Sequence, residues 1–383
     1  MIIYRQQIED REIASLAPYA LPSRHSKGRL HPETEDPHRT AFQRDRDRIL
    51  HTAAFRRLEY KTQVFVNFEG DYYRTRLTHT LEVAQIGRSL ARALGANEDL
   101  VEALCLCHDL GHPPFGHSGE DALNTVMTKD GGFNHNFQTY RILTQIEERY
   151  PGWPGLNLSH EVREGILKHA TKHDFSGEEG FDPSLRGSLE AQIADLSDSL
   201  AYNAHDLDDG LRAGLLQPGQ LSGIALWQRA GAEVGWEGHK LTDMLRHQII
   251  RRVVGISITD VIATTGERLS QLKPANSEAL QRLPENVVTP SSAVMDMQAD
   301  LKAFLYGNLY THYRVVRMQQ KAARILTALF EEYERVPEQL PPEVQKRIPD
   351  KGKPRTITDY LAGMTDRYAL EEYQRLFEPF VRP

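Results

Sequence analysis

The sequence predicts an all-α protein, and three observations carry that prediction. Apolar residues recur every three or four positions through the long segments, the period of a helix face. Apolar–polar alternation of the strand type is almost absent. Pro, Gly and clustered charge gather between the periodic segments, where helices have to stop.

Residues 19–40 are rich in Pro, His, Ser and charge without a period, and read as an extended loop. Ile49, Ala53, Phe55 and Leu58 then give a stripe that predicts a helix over 41–60. Its alternating charges from Arg44 to Arg48 read as a solvated, salt-bridged face. Leu77, Leu81, Ala84, Leu90, Ala91 and Leu94 predict a helix over 75–94, stopped by Gly95. Asn97 can cap the next, 98–110, whose first turn carries Glu98 and Asp99 at its positive end. Gly111, Pro113 and Pro114 break the chain there. Further helices are expected over 118–127, 134–150 and, with Ser159 as cap and Glu161 in its first turn, to Ala170. Residues 173–188 read as a loop, and 189–211 as a strongly amphipathic helix. Long helices are expected over 241–262 and 301–333, loops over 264–300 and 335–355, and one or two short helices over 357–377.

The chain has 383 residues, room for one large or two modest domains at roughly 150 residues each. Its 46 basic and 53 acidic side chains leave a net charge of −7, which argues against coating nucleic acid through overall charge. Cys105 and Cys107, two apart in an apolar run, read as buried core rather than a disulfide framework, and fit a reducing compartment. The opening MIIYRQQIEDREIASL carries charges where a signal peptide needs its apolar stretch. No apolar run approaches the roughly 18 residues of a membrane span. A soluble cytoplasmic protein without a membrane partner is expected.

The chemistry concentrates between Arg76 and His117. His79 lies on one amphipathic segment, while His108 and Asp109 stand side by side at the end of the apolar run 101–107. An ionisable pair there must be paired, hydrated or bound, because burying it bare is costly. With the backbone break that follows, this looks like a metal cup. On 189–211, Asp195, Asp198, Tyr202, Asp206 and Asp209 recur opposite the apolar face. Carboxylates at that spacing repel one another, so either the face is solvated or a cation sits at one end of the stripe. Two imidazoles with two carboxylates suit a divalent ion, whether Mg, Mn, Fe, Co, Ni or Zn. Such a set leaves positions for water and a substrate oxygen. His112 and His117 add acid–base groups or phosphate contacts, and Glu120 can hydrogen-bond His117 from one turn on. Arg76, one turn before His79, brings a guanidinium for an anionic substrate.

At these residues the chain resembles the HD-domain deoxynucleoside triphosphate triphosphohydrolases of the dGTPase-like group. The likeness runs through RTAFQRDRDRILHTAAFRRLEYKTQVF (39–65), TRLTHTLEVAQIGRSLARALG (75–95), HDLGHPPFGHSGE (108–120), IADLSDSLAYNAHDLDDG (193–210) and DYLAGMTDR (359–367). It implies an HD-domain metal-dependent phosphohydrolase fold with additional C-terminal helices. The implied organisation is an N-terminal loop and helix (1–65) packing on an HD core (66–215), continued by a helical region (216–383). It also implies roles. His79, His108, Asp109 and Asp198 match the metal ligands; Asp198 is preferred to Asp195 because Tyr202 and Asp206 follow it at the family's spacing. His117 and Glu120 match the catalytic pair. Arg76, His112 and, less closely, His135 match phosphate contacts, and Gln63, Tyr202 and Asp206 match the deoxyribose contacts.

The implied reaction is hydrolysis of dGTP, or of dNTPs generally, to deoxynucleoside and tripolyphosphate. Family members are commonly homo-oligomers, and some are activated by a nucleotide at a separate site. Two rival readings stay open. Another HD phosphohydrolase, for nucleoside monophosphates, (p)ppGpp or a cyclic dinucleotide, shares the metal cup without needing Gln63, Tyr202 and Asp206. A non-enzymatic nucleotide sensor or single-strand-binding regulator tolerates loss of His117 or Glu120, and both are present. A single-stranded nucleic-acid partner gains no support from the net charge.

Overall fold

The structure is a computed structural model that describes residues 2–63, 74–169, 180–238 and 240–381. Among the described residues there are 18 α-helices and no strand beyond four isolated bridges, as an all-α chain requires. The chain forms two compact units, each assembled from separated stretches of sequence. The first takes Met1–Leu50, His79–Cys107 and Leu156–His312, the second His51–Thr78, His108–Gly155 and Tyr313–Pro383.

The first unit is built on the Glu98–Cys107 helix, capped by Asn97 Oδ1 on the N–H groups of Asp99 and Leu100. Every residue from Ala103 to Cys107 is buried, each large apolar one stabilising by about 1.5–3 kcal/mol. Helices Ala41–Leu50, His160–Leu167 and Leu189–Arg212 pack on it. Cys105 and Cys107 are buried and form no disulfide, as their spacing predicts.

The charges from Arg44 to Arg48 are not a solvated face. Asp45 is fully buried, pairs with Arg29 at 2.5 Å and accepts the Ser159 N–H at 3.0 Å. Arg48 donates to the carbonyls of Leu156 and Asn157 and pairs with Glu33. These bonds fasten the 19–40 segment, and they occupy Ser159 through its backbone. Its side chain accepts no capping bond, while Glu161 instead accepts from Ser26 and the Lys27 N–H. That helix ends at Leu167; Ala170 and residues 173–179 of the expected 173–188 loop lie outside the described residues.

The second unit centres on the Tyr313–Arg335 helix, which packs against Gly116–Val126, Lys353–Ala362 and Asp366–Phe377. Leu123, Met127, Leu326, Leu329, Phe330, Tyr333, Ile357 and Leu361 form its core.

Several helix ends differ from expectation, each for a local reason. The predicted 41–60 helix stops at Leu50, because Thr52 is extended and caps a new helix, Ala53–Arg57, on the Phe55 N–H. The 98–110 helix stops at Cys107. The Thr139 hydroxyl donates to the His108 carbonyl at 3.0 Å and accepts the Gly111 N–H at 2.9 Å, which draws that backbone off the helix axis. The 134–150 helix is α-helical only over His135–Arg141, then makes a π turn, Ile142–Ile146, and ends before Pro151. The expected 241–262 helix runs on as Asp243–Leu272, capped by Thr242, and the expected 264–300 loop is interrupted by Ser277–Gln281 and by Ser292–Leu305, capped by Ser291. A π turn, Tyr306–Tyr310, then separates Ser292–Leu305 from Tyr313–Arg335. Short helices Pro342–Gln345 and Ile348–Lys351 interrupt the expected 335–355 loop, and Arg5–Ser15 is helical without having been expected.

Candidate active site

In the first unit, two helices bring the site residues together. His79 lies in the first turn of Arg76–Leu94, almost fully buried. Its Nε2 faces Asp198 Oδ1 at 2.9 Å, and its Nδ1 faces His205 Nδ1 at 3.0 Å with the rings edge to face. His205 Nε2 in turn lies 3.0 Å from Glu82 Oε2. Asp198, Tyr202, His205 and Asp206 all project from the 24-residue Leu189–Arg212 helix, begun by Ser188 capping the Ala191 N–H.

The acidic stripe is divided among separate side-chain partners. Asp195 pairs with His169 at 2.9 Å, Asp198 with His79, Asp208 with Arg246, and the fully buried Asp206 accepts from the Tyr310 hydroxyl. Separate partners offset the repulsion that the spacing creates. Burial and then the neighbouring Asp206 charge push the Tyr310 pKa far up, so the hydroxyl stays protonated and donates. The Tyr202 ring lies 6.4 Å from that of Tyr310.

In the second unit, Arg76 Nη1 donates to Asp109 Oδ2 at 2.8 Å, both groups being buried. Asp109 Oδ1 also lies 3.4 Å from His108 Nε2 and 3.3 Å from His112 Nε2. Burial alone raises the Asp109 pKa, but His108, Arg76 and His112 outweigh it and hold the carboxyl well below its usual range. His112 moves the other way. Burial, then Arg76 and His135, push it well below the usual imidazole range, so it is neutral, and it stacks on His135 at 3.9 Å.

Glu120 joins the remaining imidazoles. Its Oε2 lies 3.2 Å from His117 Nδ1, and its Oε1 lies 2.8 Å from His135 Nδ1 while accepting the His135 N–H at 2.9 Å. Burial opposes its ionisation, yet the two imidazoles keep it a carboxylate throughout the ordinary pH range. The His117 side chain is 56% exposed, so it faces outward from this anchored base. Two consecutive left-handed residues, Phe115 (φ +66°) and Gly116 (φ +60°), turn the chain into its helix. Gly116 is required there, because a Cβ would stand 3.1 Å from Arg76 Nη2 in an already strained backbone. Gln63 is buried at the edge of the described residues, and among them its Oε1 has no hydrogen-bond partner.

The donors suit a hard or borderline divalent cation. Asp109, His112 and His135 offer ligand atoms within 4.8 Å of one another, and the first unit sets the His79 nitrogen against an Asp198 oxygen. An ionised, buried carboxylate among imidazoles is the chemistry such an ion needs. Sequence spacing missed His205, Glu82 and Tyr310. The first two were visible as residues of the 75–95 and 193–210 motifs, but Tyr310 sits on a π turn that carried no signal.

Among the described residues no helix is long and apolar enough to cross a membrane. Residues 76–203 match the HD domain, and residues 288–375 match the phosphohydrolase-associated domain. A deoxyguanosinetriphosphate triphosphohydrolase-like protein of Geobacter sulfurreducens is 50% identical over 385 residues, covering all of both chains. Proteins of the same description from Ralstonia nicotianae and Thiobacillus denitrificans are 51% and 48% identical. The matches cover 94% of both chains for the first, and 95% of this chain and 97% of the relative for the second. With the histidine and aspartate clusters in place, the chain belongs to the deoxyguanosinetriphosphate triphosphohydrolase-like family of HD-domain phosphohydrolases.

Proposed function

We propose that the protein is a metal-dependent triphosphohydrolase that converts deoxynucleoside triphosphates, dGTP among them, to deoxynucleoside and tripolyphosphate. The observation that carries this reading is Glu120 holding His117 and His135 at once, in the unit where Arg76 and neutral His112 flank Asp109. A bare metal-storage or sensor site has no use for an exposed imidazole anchored in this way.

His79, His108, Asp109 and Asp198, all inside the HD-domain match, would hold the ion. When bound, it supplies Lewis-acid polarisation of the α-phosphate. Arg76 and His112 bind phosphate oxygens and offset charge developing on them. A carboxylate only accepts, so His117 Nδ1–H donates to Glu120 and leaves Nε2 for proton transfer. The water oxygen bonds to the α-phosphorus and the bond to the 5′-oxygen breaks. His117 gives the departing 5′-oxygen a proton and recovers one from the attacking water. Gln63, Tyr202 and Asp206 take the deoxyribose, with Tyr310 fixing the Asp206 carboxylate. Homo-oligomer formation and activation by a second nucleotide belong to the same reading.

The test incubates the protein with each dNTP and NTP plus Mn²⁺ or Mg²⁺ and separates phosphates by ion chromatography. Tripolyphosphate and deoxynucleoside in equal amounts are expected, and a His108→Ala/Asp109→Ala variant should yield neither while losing bound metal. Pyrophosphate with a deoxynucleoside monophosphate would overturn the reading.

A further inference from the structure

A neutral imidazole carries its proton on one of two nitrogens, and the partner of one nitrogen decides the state of the other. To ligate through Nε2, His79 must keep its proton on Nδ1. The structure contains a chain of groups that imposes this. The Glu82 carboxylate can only accept, so His205 Nε2, 3.0 Å away, is its donor. With that proton on Nε2, His205 turns the lone pair of Nδ1 toward His79 Nδ1, 3.0 Å away. Two lone pairs cannot face each other at that distance, so His79 Nδ1 carries the proton and donates it. The His79 Nε2 lone pair is left pointing at Asp198 Oδ1, 2.9 Å away. Nitrogen and oxygen lone pairs so close repel until a cation stands between them.

Without Glu82 the chain can run backwards. His205 would donate from Nδ1, His79 would carry its proton on Nε2, and that proton would close on Asp198 as an ordinary hydrogen bond competing with an ion. Helix geometry supports the arrangement from both sides. His79 and Glu82 share one face of Arg76–Leu94, three residues apart, and Asp198 and His205 share one face of Leu189–Arg212, seven apart. His79 and His205 are buried, while Glu82 is half exposed.

We propose that Glu82 and His205 are positioning residues that fix the tautomer and ring orientation of His79, reserving its Nε2 lone pair for a divalent cation. This rests on the metal-dependent reading above. Partners of this kind typically change metal affinity by about 10–100-fold when removed.

The test uses metal-stripped full-length protein and reads Mn²⁺ binding from the electron paramagnetic resonance signal of the free ion. The expected results are tight binding by the unsubstituted protein, about tenfold weaker binding by Glu82→Gln, and about 10–100-fold weaker binding by His205→Ala. The double variant should lose no more than His205→Ala alone, because both act through one chain. Glu82→Gln, at a half-exposed position, should leave the unfolding midpoint of the metal-free protein unchanged, which separates positioning from folding. If both variants bind Mn²⁺ within twofold of a protein that itself binds, or if their losses add, the relay is wrong while the metal centre stands. If the unsubstituted protein binds no Mn²⁺, the metal-dependent reading falls and the relay with it.

Discussion

The Asp366 carboxylate accepts the backbone N–H of Phe115 at 2.8 Å, so a residue near the far end of the sequence fixes the loop between His112 and His117. The same carboxylate accepts the Thr62 N–H at 2.9 Å and the Thr62 hydroxyl. Asp366→Ala strands these buried donors and should lower unfolding free energy by roughly 2–5 kcal/mol. It should also lower kcat at least tenfold under conditions where the variant is folded, because the left-handed turn at Phe115 loses its anchor. Asp366→Asn, which keeps a carbonyl oxygen, should do less on both counts. Denaturant titration and steady-state kinetics on the pair decide it; an Asp366→Ala enzyme with unchanged kcat shows that the anchor serves the fold alone.

Lys61 predicts a pH dependence of stability. Its ammonium is buried and donates to the carbonyls of His112 at 2.5 Å and Ala362 at 2.9 Å. Burial first, then repulsion from Arg76 and Arg57, brings its pKa down to about 7. Between that value and the ordinary lysine range the unfolded chain holds a proton that the folded chain has released. Stability attributable to Lys61 therefore rises with pH through this window, by up to about 1.4 kcal/mol per pH unit, and is flat below pH 7. Urea unfolding at pH 7.5 and 9.5 should show that rise in the natural protein and not in Lys61→Met. Equal slopes for the two would mean that the folded amine stays charged.

How far the molecule could be read beforehand depended on whether a feature was periodic or tertiary. The helices that begin at Arg76 and Leu189 were legible because most of their leucines and alanines keep one face over many turns, although Leu81, counted in that stripe, is exposed. The Asn97 cap and the burial of Cys105 follow from local chemistry, whereas the Ser188 cap lay at the end of a stretch read only as loop. The end of the helix before His108 was not legible, because Thr139, far along the chain, takes up its next backbone groups. The π turns at Ile142 and Tyr306 keep nearly the helical spacing of side chains, so no apolar pattern marks them. At the site, His117 and Glu120 were close enough in sequence to be paired. The contacts of Glu120 with His135 and of Asp206 with Tyr310 needed the fold.

The Glu120 contacts change an expected ranking. His117→Ala should lower kcat by about 100-fold or more, the scale of a positioned acid–base group, with bound metal and melting temperature little altered. Spacing alone suggests a smaller loss for Glu120→Ala. Since Glu120 holds both His117 and His135, its loss should be at least as large. Side-by-side kinetics with metal analysis test the order, and a Glu120→Ala enzyme clearly more active than His117→Ala would restore the smaller role.

Tyr202→Ala should narrow the ratio of dNTP to NTP turnover. An aromatic ring against the sugar excludes an added 2′-hydroxyl by bulk, and Tyr310, with its ring 6.4 Å away, holds Asp206 in place when that ring is removed. The measurement is kcat/KM for matched deoxy and ribo substrates. An equal fall for both sugars shows that the ring binds without discriminating.

The anchoring of the His112–His117 loop bears on how this chain can be divided. Lys61 and Thr62 precede the stretch that matches the HD domain, Ala362 and Asp366 follow it, and all four reach one short loop inside it: Lys61 and Asp366 directly, Ala362 through Lys61 and Thr62 through Asp366. A recombinant fragment cut at residues 76 and 203 would carry every proposed metal ligand and yet leave the His117 turn without its anchors. The recognisable signature is therefore no transplantable module. Gene fusions, truncations and chimaeras that preserve it alone should be inert, and sequence change at either flank is answerable to the same few atoms.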